Sequence, residues 1–206
     1  MVRSSESHRD RIVDLLERKG MARLSELLET GATGAAVARL ERDGTLIRLS
    51  RGLYQLADNP VEEHHALAEA ALLVPKGVIC LLSALAYHEL TDRIPRRVWI
   101  AIGRKDWRPT FSHPPLKILH FSEKAMTFLV ETRRIENVDV RLTNPARTVV
   151  DCFKYQSTVG RNVAIEGLKE ALRTRKATPA DIHRAASEMG QWKTIQPYLE
   201  AVAHNG

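Results

Sequence analysis

Apolar residues recur at helical spacing three times in the first 45 positions, and each run is bounded by residues suited to helix ends. Ser7-His8-Arg9-Asp10 has the spacing of a capping box, and Ile12, Leu15 and Leu16 follow at i, i+3 and i+4. Lys19-Gly20 closes that helix with a cation and a residue free to turn left-handed. Leu24, Leu27 and Leu28 repeat the pattern, and Thr30-Gly31-Ala32-Thr33 breaks it. Thr33 then serves as N-cap of a third helix with Val37 and Leu40 apolar. After the turn pair Asp43-Gly44, Leu46-Ile47-Arg48-Leu49 alternates as a half-buried strand does, Ser50-Arg51-Gly52 turns it, and Leu53-Tyr54-Gln55-Leu56 returns. Three short helices followed by a two-stranded hairpin is the order of a winged helix-turn-helix, expected over residues 7–57.

Beyond a linker turn at Asp58-Asn59-Pro60, Val61 to Val74 is alanine-rich with helical spacing and stops at Pro75-Lys76-Gly77. A strand over Val78-Ile79-Cys80-Leu81 is expected next, then a helix capped by Ser83 and a strand over Val98–Ile102. Leu116–Phe121 and Val138–Leu142 both alternate, which makes a small mixed sheet the economical arrangement. Asn144-Pro145 opens a helix with an N-cap and a proline at its first position. The last third reads as helices: Val163–Leu172, one capped by Thr178-Pro179-Ala180-Asp181, and Trp192–Ala203 interrupted at Pro197. The fold class predicted is α+β: a winged helix-turn-helix over residues 1–58, then a mixed α/β domain over 59–206 that ends in helices from about residue 160.

Composition narrows the setting. The 206 residues are 44% hydrophobic and 27% charged, with a formal charge of +6, and a pI of about 9.5 favours a polyanionic partner. Cys80 and Cys152 sit in apolar runs where a thiol behaves as a small hydrophobe, which predicts a reducing, cytoplasmic setting. The first six residues lack the apolar stretch of a secretory signal, and Val78–Tyr87 is about half the length of a membrane span, so neither export nor membrane insertion is expected.

In a helix-turn-helix the third helix enters the major groove by its N-terminal turn while the wing meets backbone or minor groove. That assigns DNA binding to Thr33, Gly34, Ala35, Ala36 and Arg39 on the helix. Gly34, Ala35 and Ala36 offer only close backbone approach or methyl contact, which leaves Arg39 to read guanine. Arg42, Arg48 and Arg51 are placed to contact phosphate or minor groove. The competing reading is solvated ion pairing with neighbours such as Glu41 and Asp43, and the first 58 residues are nearly balanced in charge. Positive charge is denser further on. Arg93, Arg96, Arg97, Arg104, Lys105 and Arg108 form a possible second basic surface for DNA, RNA or an acidic partner, with Trp107 in a loop among them and Trp99 in an apolar strand.

Candidate chemistry is sparse. His64, His65, His88, His113 and His120 show no His-x₃-His pair on one expected helix, and no Cys-x₂-Cys is present, so no metal site and no cofactor is expected. Asp151 lies inside an apolar helix with Arg147 four residues earlier as its expected partner. A nuclease would need the scattered Glu123, Lys124, Asp139 and Asp151 to converge. No glycine-rich phosphate loop, nucleophile elbow or Asp-x-Asp motif appears, and the chain is not expected to be an enzyme.

The wing Leu46–Tyr54, the element around Ser83-Ala84-Leu85 and the run Pro145-Ala146-Arg147-Thr148-Val149-Val150-Asp151, in that order, resemble the AbiEi-type antitoxins over about residues 8–155. The resemblance implies a type IV toxin–antitoxin (abortive infection) system. In such a system the N-terminal domain binds inverted repeats in its own promoter and represses it, as monomer or dimer on double-stranded DNA, and the chain counteracts a nucleotidyltransferase toxin. It places Arg39, Arg48 and Arg51 at DNA-facing positions. The alternatives are a module that neutralises a partner by direct contact, through the helices of 163–203, and a stand-alone transcription factor.

Overall fold

The computed structural model describes residues 7–60, 62–111 and 113–203. They form two compact units: the first holds the chain up to Pro75 with residues 109–115 and 134–140, the second the remainder.

The first unit opens with α1 (His8–Lys19), whose capping box is formed: Ser7 Oγ accepts from Asp10 N–H at 3.2 Å, and the Asp10 carboxylate accepts from Ser7 N–H at 3.1 Å. Gly20 ends the helix at φ 73°, donating its N–H to Leu16 O. After β1 (Met21–Arg23) come α2 (Leu24–Glu29), α3 (Gly34–Arg42), β2 (Leu46–Ser50) and β3 (Leu53–Leu56). Ile12 and Leu16 of α1, Leu27 of α2, Val37 and Leu40 of α3, and Leu46, Tyr54 and Leu56 of the strands share one core. Burial of each large side chain there is worth about 1.5–3 kcal/mol.

The wing departs from its expected form in two ways. The sheet has three strands, not two, in the order β1-β3-β2, with Met21 opposite Gln55 and Arg23 opposite Leu53. The alternation expected in β2 also fails, since Ile47 and Arg48 are both exposed. A register shift between Arg48 and Ser50 inserts a residue and re-aims the strand's end.

The alanine-rich stretch folds as α4 (His65–Leu73), shorter than expected, and Val61 lies outside the described residues. It buries Leu67, Ala68, Ala70 and Leu73 together with Glu69. In the same unit Glu136 and Asn137 both take positive φ (46° and 63°), the backbone of a tight hairpin turn. The Glu136 carboxylate accepts from His65 Nδ1 at 2.7 Å and from Glu62 N–H at 3.0 Å, which holds this left-handed glutamate in place.

The rest of the chain builds a mixed sheet with helices. β4 (Val78–Ile79), β5 (Val98–Gly103), β6 (Leu116–Phe121), β7 (Val130–Ile135) and β8 (Val138–Thr143) lie in the order β6-β5-β4-β8-β7. β5 and β6 are parallel, as are β4 and β8, while β4 and β5 are antiparallel. β7 was not expected: its three central residues are exposed, so it carries little apolar signal. β4 stops after two residues and α5 (Leu81–Tyr87) starts early, with Cys80 and not Ser83 as its N-cap residue. Ser83 lies inside that helix, buried, and its Oγ accepts from Trp99 N–H at 2.9 Å.

Asn144 caps α6 (Pro145–Lys154) by accepting from Arg147 N–H at 2.9 Å. α7 (Gln156–Val159), α8 (Arg161–Arg173), α9 (Pro179–Glu188) and α10 (Trp192–Ala203) follow. Thr178 caps α9 ahead of Pro179 as expected, with Asp181 completing a capping box, whereas α10 is continuous through Pro197 and not interrupted there. Phe153, Leu168, Ile182 and Ile195, one from each of the four long helices, meet in the core. At its centre Arg147, fully buried, gives Nε to Asp151 Oδ2 (2.8 Å), Nη1 to Phe128 O (2.6 Å) and Nη2 to Ala125 O (3.2 Å), so the pair expected from the sequence is present.

Candidate nucleic-acid interface

The interface is built from the turn upward. Thr30-Gly31-Ala32-Thr33 separates α2 from α3, and Gly31 takes φ 82° there. A Cβ on Gly31 would lie 2.7 Å from Arg11 Nη1, and that same nitrogen donates to Thr30 O at 2.9 Å. Arg11, reaching from α1, therefore fixes the turn that sets the angle of α3. Its contribution has no sequence motif, because it depends on α1 crossing the turn.

Thr33 caps α3 by accepting from Ala36 N–H at 3.2 Å, as its position predicts. Val37 and Leu40 anchor the helix, which leaves Thr33, Gly34, Ala35, Ala38, Arg39 and Arg42 on its exposed face, with Ala36 half-buried. The first turn is bare. Arg39 stands beside it and lines, with Arg9, Ala35, Ala36 and Asp43, a cleft of about 490 Å³. Asp43 is held below the usual carboxylate range, first by hydrogen bonds from Thr45 and then by the charges of Arg39 and Arg9. Arg9 joins Arg39 only through the fold. Arg42 is turned back, its Nε on Ala38 O at 3.3 Å.

In the wing Arg48 and Arg51 are exposed, and Arg48 Nε lies 3.4 Å from Ser50 O, a weak bond. The tip is tied to the helical part, since Leu24 N–H at the start of α2 donates to Gly52 O at 2.8 Å. Helix and wing thus present their cations from one braced frame.

The second group of basic residues is divided. Arg93, Arg96 and Arg97 precede β5, whereas Arg104, Lys105 and Arg108 follow it. The six residues between span roughly 20 Å at 3.3 Å per residue. Trp99 is 9% exposed and Trp107 is 93% exposed.

Three of the four candidate acid–base residues have ion-pair partners of their own. Lys124 pairs with Glu188 at 2.9 Å, Asp139 with Arg134 at 2.9 Å and Asp151 with Arg147. Buried His88 donates Nε2 to Thr143 O at 2.8 Å, and burial pushes its pKa down against the opposing pull of that hydrogen bond and Glu131. Burial likewise raises the Cys80 and Cys152 thiols well above their ordinary value. Among the described residues no three His, Cys, Asp or Glu side chains converge as a metal requires, and no helix is long and apolar enough to cross a membrane.

A comparison with curated protein sequences gives no match. Among solved structures the chain is similar to the crystal structure of the RV2827C protein from Mycobacterium tuberculosis, with a TM-score of 0.67 at 15% identity, covering 98% of this chain and 79% of that one. That likeness is one of fold. Residues 10–57, from the first turn of α1 to the end of the wing, match the family described as "Transcriptional regulator, AbiEi antitoxin", whereas Ser83-Ala84-Leu85 and Pro145–Asp151 lie outside the matched segment. The resemblance read from the sequence is therefore supported over residues 10–57, which are similar to that family's model.

Proposed function

We propose that the chain binds double-stranded DNA through α3 and the wing, represses its own promoter at inverted repeats, and acts as antitoxin to a nucleotidyltransferase toxin. The observation that carries the DNA-binding reading is the bracing of the wing, whose tip is tied to the start of α2 by Leu24 N–H to Gly52 O and whose Leu46 packs with Val37 and Leu40 of α3 in one core. In this reading Thr33, Gly34, Ala35 and Ala36 approach the groove closely and contribute little base discrimination, Arg39 contacts guanine, and Arg42, Arg48 and Arg51 hold phosphates. The antitoxin role rests on the family match of residues 10–57.

Two experiments test the two halves. In a gel-shift titration on the upstream region of its own gene, the chain should retain that fragment in excess unrelated duplex, and Arg39→Ala should narrow the difference between the two. Equal retention of both fragments would overturn specific repression. Co-expression with an adjacent nucleotidyltransferase gene should restore growth, and continued arrest would overturn the antitoxin role.

A further inference from the structure

The loop that leaves β5 combines features that the winged helix does not use. Gly103 N–H donates to Asp106 Oδ2 at 2.8 Å and Gly103 O accepts from Asp106 N–H at 3.0 Å, closing a tight turn with Arg104 and Lys105 at its two central positions. Both side chains are exposed, and among the described residues neither has an ion-pair partner. Trp107 follows at once, 93% exposed, although an indole of that size is ordinarily covered.

Arg104 and Lys105 also line a cleft of about 650 Å³ at the carboxyl ends of the parallel strands β5 and β6, where open α/β sheets place their ligands. Lys76 and Arg141 add two positive charges to its wall, against Asp106 and Glu123. Of these acids, Asp106 is committed to bracing the turn. Arg141 is fixed in place by donating to Lys76 O (3.1 Å) and Met126 O (2.7 Å).

We infer that this cleft, with Trp107 beside it, is a binding site for single-stranded nucleic acid: Lys76, Arg104 and Lys105 hold backbone phosphates and Trp107 stacks on a base. A phosphate needs free cations in a concave wall, and a nucleobase needs an exposed aromatic plane; the turn braced by Asp106 carries Arg104 and Lys105, and Trp107 follows it directly in the chain. A base stacked inside a duplex has no free face to offer the indole, and the acidic side chains of a peptide have no aromatic face to stack. The site lies wholly in the second unit, so it is separable from the winged-helix reading.

The test uses the full chain with fluorescein-labelled octauridylate and octathymidylate, followed by anisotropy and by quenching of tryptophan emission. Wild type should bind with quenching. Trp107→Ala should weaken binding roughly tenfold and remove the quenching, while Trp107→Phe keeps most of the affinity. Arg104→Ala with Lys105→Ala should lower the salt slope by roughly 1.4, two contacts at about 0.7 each for a single strand. Arg48→Ala with Arg51→Ala should leave octanucleotide binding unchanged. The proposal is overturned if Trp107→Ala binds as wild type, if the wing variant loses the octanucleotide, or if a duplex of the same length or polyglutamate displaces it more effectively than unlabelled octanucleotide does.

Discussion

Asp151 ties the stability of the fold to pH through a buried carboxyl. Its carboxylate is 1% exposed, Oδ2 is bonded to Arg147, and Oδ1 has no hydrogen-bond partner among the described residues. Burial pushes the carboxyl up to about 6, and the Arg147 charge offsets only part of that. The folded value lies above the unfolded value of 3.8, so this group's contribution to stability is whole below about pH 4 and is lost as pH rises through about 6. In denaturant melts between pH 4 and 7, wild type should lose up to about 3 kcal/mol relative to Asp151→Asn. A difference between the two that does not vary with pH would contradict this. Removing the cation is harsher: Arg147→Met leaves a buried acid alone and should cost about 3–5 kcal/mol, seen as a lowered denaturation midpoint. The Arg147–Asp151 pair was legible from i, i+4 spacing in an apolar helix, whereas the carbonyls of Ala125 and Phe128 that complete the guanidinium's shell come from a distant loop that no local pattern names.

Among the elements, those with chemical punctuation were legible and those made by distant pairing were not. Ser7, Thr33, Asn144 and Thr178 all cap the helices that their positions predict, because an N-cap is a contact of residues three apart. β1 has only Met21-Ala22-Arg23 to announce it, and its partner β3 lies some thirty residues on. β4 is shorter and α5 starts earlier than the local pattern predicts because Leu81 turns the chain at φ 49°, a conformation that no leucine advertises. Pro197 was expected to interrupt α10, yet the helix passes through it, held by packing of Ile195 and Leu199 in the core. The candidate interface divides in the same way: the exposed face of α3 and the wing arginines follow from order, while Arg9 and Arg11 come from α1 and need the fold. Arg11→Ala tests the second kind. It frees the turn before α3 without removing a wing or α3 cation, so duplex affinity should fall several-fold while the salt slope stays as in wild type. A slope reduced by one contact would make Arg11 a phosphate ligand instead.

At the scale of the whole molecule, net charge of +6 is a property of the chain and not of the winged helix, whose first 58 residues are nearly balanced. Binding by that unit therefore depends on where its few cations stand more than on how many there are. The exposed first turn of α3 offers no side-chain hydrogen-bonding group beyond Thr33, whose hydroxyl already accepts from Ala36 N–H, so the proposed base and phosphate contacts fall to Arg39 and the wing. The most direct test is the salt dependence of promoter-duplex binding by Arg48→Ala with Arg51→Ala. The account predicts weaker binding and a log–log salt slope smaller by about 1.8, two phosphate contacts at about 0.9 each. Unchanged affinity and slope would contradict the assignment of the wing to DNA.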